Sequence, residues 1–143
     1  MSLKPYIKDN LEYYYTKITK NIRVSVKTDF LSDQSDVENK LWVWSYHILI
    51  ENNGNNTVQL VDRYWKITDE TGHVKEVNGS GVIGRQPNIK PGESFEYSSG
   101  TPLNKPSGFM FGNYRMINEK NESFFIDVPI FSLDIPSIKK ILN

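Results

Sequence analysis

The sequence predicts an all-β fold, an immunoglobulin-like β-sandwich of about seven antiparallel strands. Three observations point to it. From residue 22 onward, apolar and polar residues alternate over short runs, the period-two pattern of strands with one buried face. Asn-, Gly- and Pro-rich turn signals separate those runs, because these residues supply positive φ or a fixed bend. Finally, Gly112-Asn-Tyr114-Arg-Met116 has the Gly-x-Tyr spelling of a tyrosine corner, with Met116 where antibody domains place a cysteine.

The elements follow in order. Ile22–Phe30 sets Ile22, Val24 and Val26 on one face and Arg23, Ser25 and Lys27 on the other. Leu41–Glu51 aligns Trp42, Trp44, Tyr46, Ile48 and Ile50 on an inward face, opposite a mixed face of Val43, Ser45, His47 and Leu49. The Asn- and Gly-rich stretch 52–56 turns the chain into Thr57–Thr68, where Val61, Trp65 and Ile67 share a phase. Asp69–Gly72 reads as a hairpin turn into His73–Val77. Pro91-Gly92 precedes a short strand at Ser94–Ser98, and Gly108–Ile117 and Ser123–Ile135 complete the set. Pro129 and Pro136 make the last strand an edge strand, interrupted and then terminated. Residues 1–20 form an N-terminal extension ahead of a single domain over 21–143. In it Ile7, Leu11, Tyr14/Tyr15 and Ile18 recur at the spacing of a short helix lying on the sandwich. Tyr13-Tyr14-Tyr15 is the expected exposed aromatic patch, while Trp42, Trp44 and Trp65 belong to the core.

Composition narrows the function. Seventeen basic residues balance seventeen acidic ones, so the field expected of a nucleic-acid binder is missing and no nucleic-acid partner is expected. The absence of cysteine excludes a disulfide scaffold, thiolate metal sites and thiol nucleophiles. The N-terminus has no apolar signal core, and no apolar run reaches the ~18 residues of a membrane span. A cytoplasmic protein without a membrane partner is expected.

Two segments are candidate sites. Gly79-Ser80-Gly81-Val82-Ile83-Gly84 is a literal Gly-x-Gly-x-x-Gly followed by Arg85. Pro87 and Pro91 forbid the helix that a dinucleotide fold would launch there. What remains is a turn between strands, or a nest of backbone amides that binds an anion beside Arg85. The acidic stretch Asp29, Asp33, Asp36 and Glu38 has the oxygen donors of a hard-cation site but not the spacing of a calcium hand. His47 and His73 lack a second His or Cys at ligand spacing, so no His or Cys metal site is expected. No serine elbow or other catalytic constellation stands out. A non-enzymatic protein without a cofactor is expected.

Several segments in order resemble the ApaG family. Ile22–Phe30 with Leu31-Ser-Asp-Gln-Ser35 is similar to its opening strand and Q-S loop. Trp65-Lys-Ile-Thr-Asp69 matches W-x-I-T-D, and Val74–Pro87 matches V-x-E-V-x-G-x-G-V-V-G-x-Q-P, with Ile83 in place of the second valine of the V-V pair. Lys90–Gly100 resembles P-G-E-x-F-x-Y-x-S-G, and Pro106–Met116 resembles P-x-G-x-M-x-G-x-Y-x-M. The likeness runs from about Ile18 to Pro136. It implies an immunoglobulin/fibronectin type III-like β-sandwich, and for bacterial members an association with cobalt resistance and magnesium efflux under the name CorD. In eukaryotes the similar domain accompanies F-box and polymerase-interacting proteins, which implies protein interaction. The family's glycine run has been discussed as a phosphate-binding element, which falls here on Gly79, Gly81 and Gly84. The expected function is therefore a binding module that offers the glycine loop and strand edges to a protein partner or to a second copy of itself. Phosphate or pyrophosphate binding at Gly79–Arg85, and direct binding of a divalent cation, are the alternatives.

Overall fold

In the computed structural model, which describes residues 4–135, the alternating runs become two facing antiparallel sheets. The four-stranded sheet has the order β3 (Tyr15–Thr19), β4 (Ile22–Phe30), β5 (Trp42–Asn52), β9 (Ser94–Leu103). The five-stranded sheet runs β11 (Ser123–Leu133), β10 (Gly108–Asn118), β6 (Val58–Asp69), β7 (Val74–Ser80), with β8 (Asn88–Ile89) also paired to β6. A separate hairpin of β1 (Tyr6–Lys8) and β2 (Leu11–Tyr13) precedes them. The all-β sandwich is thus the observed fold.

The predicted inward face of β5 is buried along its length, from Trp42 to Ile50. Trp65 of β6 sits between the sheets, with ring centroids 5.4 Å from Tyr46, 6.2 Å from Tyr114 and 6.0 Å from Phe131. Burying each such side chain stabilises the fold by about 1.5–3 kcal/mol. Tyr97 of β9 and Tyr114 of β10 join hydroxyl to hydroxyl at 2.6 Å inside this core, a polar tie between sheets in a dry environment. Burial pushes both phenols above the usual tyrosine value.

Gly112 lies where β10 meets a bulge in β11. A Cβ there would run into the Tyr64 carbonyl and come within 3.1 Å of the Trp65 ring, so only glycine lets β6 and β10 approach. Pro129 falls in that bulge on the edge strand β11, as its missing N–H requires. Pro136 lies outside the described residues.

Three expectations are corrected. The helical spacing of Ile7, Leu11, Tyr14/Tyr15 and Ile18 does not produce a helix. Asp9-Asn10 and Lys20-Asn21, all at positive φ, make two-residue turns of the kind that suits hairpins, and the Tyr- and Thr-rich segment between them favours strands. β3 consequently pairs with β4 as part of the sandwich. Of the three consecutive tyrosines, Tyr13 is buried, Tyr15 packs on Phe131 at 6.2 Å, and only Tyr14 is exposed. Tyr114 is no tyrosine corner, because its hydroxyl meets Tyr97 across the core rather than nearby backbone.

The two open sides of the sandwich differ. On one, β3 and β11 are fastened by Tyr15–Ser132 hydroxyls at 3.0 Å, the Asp127 amide donating to Thr19 Oγ1 at 3.2 Å, and a 3.1 Å Lys17–Asp127 ion pair. On the other, between β7 and β9, the Arg85 guanidinium lies 5.1 Å from the centre of the Phe95 ring.

Candidate functional site

The glycine run leaves the sheet edge as a small, tightly held hairpin. Gly79 and Ser80 close β7 opposite Arg63 and Asp62. Gly81 has φ +63°, and a Cβ there would collide with the Arg85 carbonyl. Val82 and Arg85 then exchange backbone bonds of 2.8 and 2.9 Å, leaving Ile83 (φ +44°) and Gly84 (φ +75°) as the central pair of a two-residue turn. Positive φ at both central positions defines a type I′ turn, where Asn and Gly are the usual residues. Ile83 is β-branched, a genuine exception in the left-handed region, and is 56% exposed. A strained aliphatic side chain is therefore held out into water.

The surroundings fix it there. Val82 is buried and anchors the base of the hairpin. The Gly81 amide donates to Val61 O at 2.7 Å, and Gln86 Nε2 reaches the same carbonyl at 3.0 Å. Arg63 lies against Gly79 and donates through Nη1 to Ser80 O (3.1 Å) and Gly81 O (2.8 Å). This contribution of Arg63 is invisible in the local motif, since it comes from β6 through strand register. For the anion alternative, the amides of Gly81, Val82 and Arg85 are already committed to carbonyls, and the Arg85 charge rests over Phe95. The Ile83 and Gly84 amides at the tip are what the hairpin has left to offer an anion.

The acidic candidates are not brought together. Asp29 pairs with Lys27 at 3.4 Å. Asp36 caps the short 3-10 turn Val37–Asn39, accepting from the Asn39 amide and from Asn39 Nδ2 at 2.6 Å. Asp33 lies in the preceding turn Ser32–Gln34, and Glu38 follows, both exposed. Among the described residues no group of three His, Cys, Asp or Glu side chains is placed to hold a metal ion. His73 is exposed, and its amide donates to Asp69 Oδ1 at 3.1 Å.

One side-chain cluster is not apparent from the linear sequence. His47 Nδ1 meets Ser98 Oγ at 2.7 Å, and its Nε2 meets Glu96 Oε2 at 3.1 Å. The β5–β9 register, which sets His47 opposite Ser98, creates this arrangement. It lies on the outer face of the sheet, and its local effect is to draw the Glu96 and Ser98 side chains across β5.

The comparisons with known proteins bear on the family and the fold. The family model described as the ApaG domain matches residues 32–118. The chain belongs to the ApaG-domain family. It is 54% identical over 129 residues to Protein ApaG of Parvibaculum lavamentivorans, covering 90% of this chain and 99% of that one. Protein ApaG of Allorhizobium ampelinum is 50% identical over the same shares. Among solved structures, the Bordetella pertussis protein described as ApaA superposes with a TM-score of 0.78 at 36% identity, covering 94% of this chain and 98% of its own. The ApaG-domain match begins after β4 and stops at the end of β10. β3, β4 and β11 thus complete the sandwich around it.

Proposed function

We propose that this ApaG-domain protein is a non-enzymatic binding module whose recognition element is the Gly81–Arg85 hairpin, presented to a protein partner. The observation that carries the reading is Ile83, exposed at a φ that a β-branched residue does not adopt without cost. Buried Val82, the Val82–Arg85 bonds and Arg63 hold the strain in place. Strain preserved on an exposed aliphatic tip suits a side chain that docks into an apolar pocket of a partner, where its burial is recovered on binding. The hairpin is also pre-organised, which reduces the ordering entropy that association would otherwise cost.

The test is affinity capture from the native cell with the wild type and the Ile83→Gly and Ile83→Asp variants. Capture of the partner should fall at least tenfold for both variants while each stays folded. Undiminished capture by both would overturn the reading.

A further inference from the structure

Among the described residues the sandwich has four lateral sheet edges, and three are guarded. β3 and β11 lie against each other, and β11 also carries Pro129 in a bulge. β7 is seven residues long, carries Lys75 and Glu76, and gives way to the glycine hairpin. Charges, prolines, bulges and short length are the devices that keep an edge from recruiting another strand.

β9 largely lacks them. It is ten residues long and stays in register with β5 from Ser94 to Leu103 without a bulge. Its one charged residue, Glu96, is turned onto His47. Backbone parity is set by two bonds. The Asn52 amide donates to Glu93 O at 3.0 Å, and Val43 O is taken by the Leu31 amide on the β4 side. Counting along the ladder, the backbone groups of Ser94, Glu96, Ser98, Gly100 and Pro102 face away from β5. Of these, only Pro102 has no N–H to offer.

We propose that β9 pairs with β9 of a second copy of this chain, antiparallel about a two-fold axis at Ser98, joining both four-stranded sheets into one. In that register Ser98 faces its own mate and each Glu96 faces Gly100, so both residues of each pair exchange backbone bonds. Ser94 faces Pro102, whose carbonyl accepts although it cannot donate. No like charges are opposed, which an isologous contact must achieve with one surface. Gly100 gives the facing Glu96 room, and His47 already draws that carboxylate across its own strand. Zero net charge leaves no long-range repulsion between copies. A contact of two strands is small, so the dimer belongs with weak interfaces, below about 1,200 Å².

Sedimentation of the full chain up to ~100 μM should show a reversible monomer–dimer equilibrium. Ser98→Lys, which sets two ammonium groups at the axis, should leave a monomer with unchanged thermal unfolding. The chain has no cysteine, so Ser98→Cys reads the register directly. Facing Cα atoms in such a pair lie within the ~4.4–6.8 Å that a disulfide spans. Oxidation should give a covalent dimer, whereas Ser94→Cys, opposite Pro102, should not. A wild type that stays monomeric, including one whose β9 binds only an extended segment of a different protein, overturns the proposal. So does a dimer that survives Ser98→Lys, or equal cross-linking by both cysteine variants.

Discussion

Replacing Ile83 with glycine should make the protein more stable while removing its proposed recognition side chain. A non-glycine residue in the left-handed region costs about 1–2 kcal/mol, and Ile83 occupies it at φ +44°. Glycine removes that cost but adds roughly 0.4–1 kcal/mol of unfolded-chain entropy. The net gain is about 0.5–1 kcal/mol. Ile83→Asn tolerates the same backbone without the added chain entropy, so it should gain as much or more, about 1 kcal/mol. At a urea m-value near 2 kcal/mol/M, the midpoint should rise by about 0.3–0.5 M. The melting temperature should rise by about 2–3 °C for a chain of this length. The assay is equilibrium urea unfolding of wild type, Ile83→Gly and Ile83→Asn in parallel. A lower midpoint for both variants would show that the tip is not strained and would remove the observation on which the functional reading rests.

Four further outcomes follow from the structure. Tyr97→Phe and Tyr114→Phe each leave a buried hydroxyl alone and should cost about 1–3 kcal/mol, while the double variant should approach neutrality; a double-mutant cycle in urea measures the coupling. Because burial raises both phenols in the folded state, their contribution is intact below about pH 10, where the unfolded phenol ionises, and is lost as pH rises further. Unfolding curves from about pH 8 to 11 should show that decline, and the double Phe variant should flatten it. Bonds from the Thr71 hydroxyl and from the Thr71 and His73 amides hold the Asp69 carboxyl below the ordinary aspartate value. The β6–β7 turn should therefore keep its full support above about pH 4 and lose it as pH falls through the lower folded value, read as faster amide exchange at Val74–Val77. Gly112→Ala should cost about 1–3 kcal/mol through collision with the Tyr64 carbonyl, lowering the melting temperature by roughly 3–10 °C.

The fold was legible where side-chain alternation alone decides burial. Trp42 to Ile50 on β5 is the clearest case, because a partner lies on each side and no bulge shifts its phase. β6 was harder. The β6–β10 ladder steps from Asp62 to Leu60, so Leu60 faces the core with Trp65 and Ile67, and Val61, expected in that phase, is displaced. The N-terminal segment misled because its apolar spacing fits a helix, while its two hairpin turns are written only in the Asp-Asn and Lys-Asn pairs. At the candidate site, the glycines were legible as turn formers. The strain at Ile83 was not, since nothing in the letters says that isoleucine takes the place usually given to asparagine. Arg63 and the His47–Ser98–Glu96 cluster depend on which strands become neighbours, which local spacing does not encode.

The fastening of β3 to β11 has a consequence for biosynthesis. Tyr15 and Ser132 touch across 117 residues of chain, so β3, although it pairs with β4 as soon as that strand follows, waits for β11 to emerge from the ribosome before that side of the sandwich can close. Contacts this distant in sequence slow folding, because closing the intervening loop costs entropy before any contact repays it. Until then the nascent chain carries an unclosed seam, and holding chaperones would have their longest opportunity there.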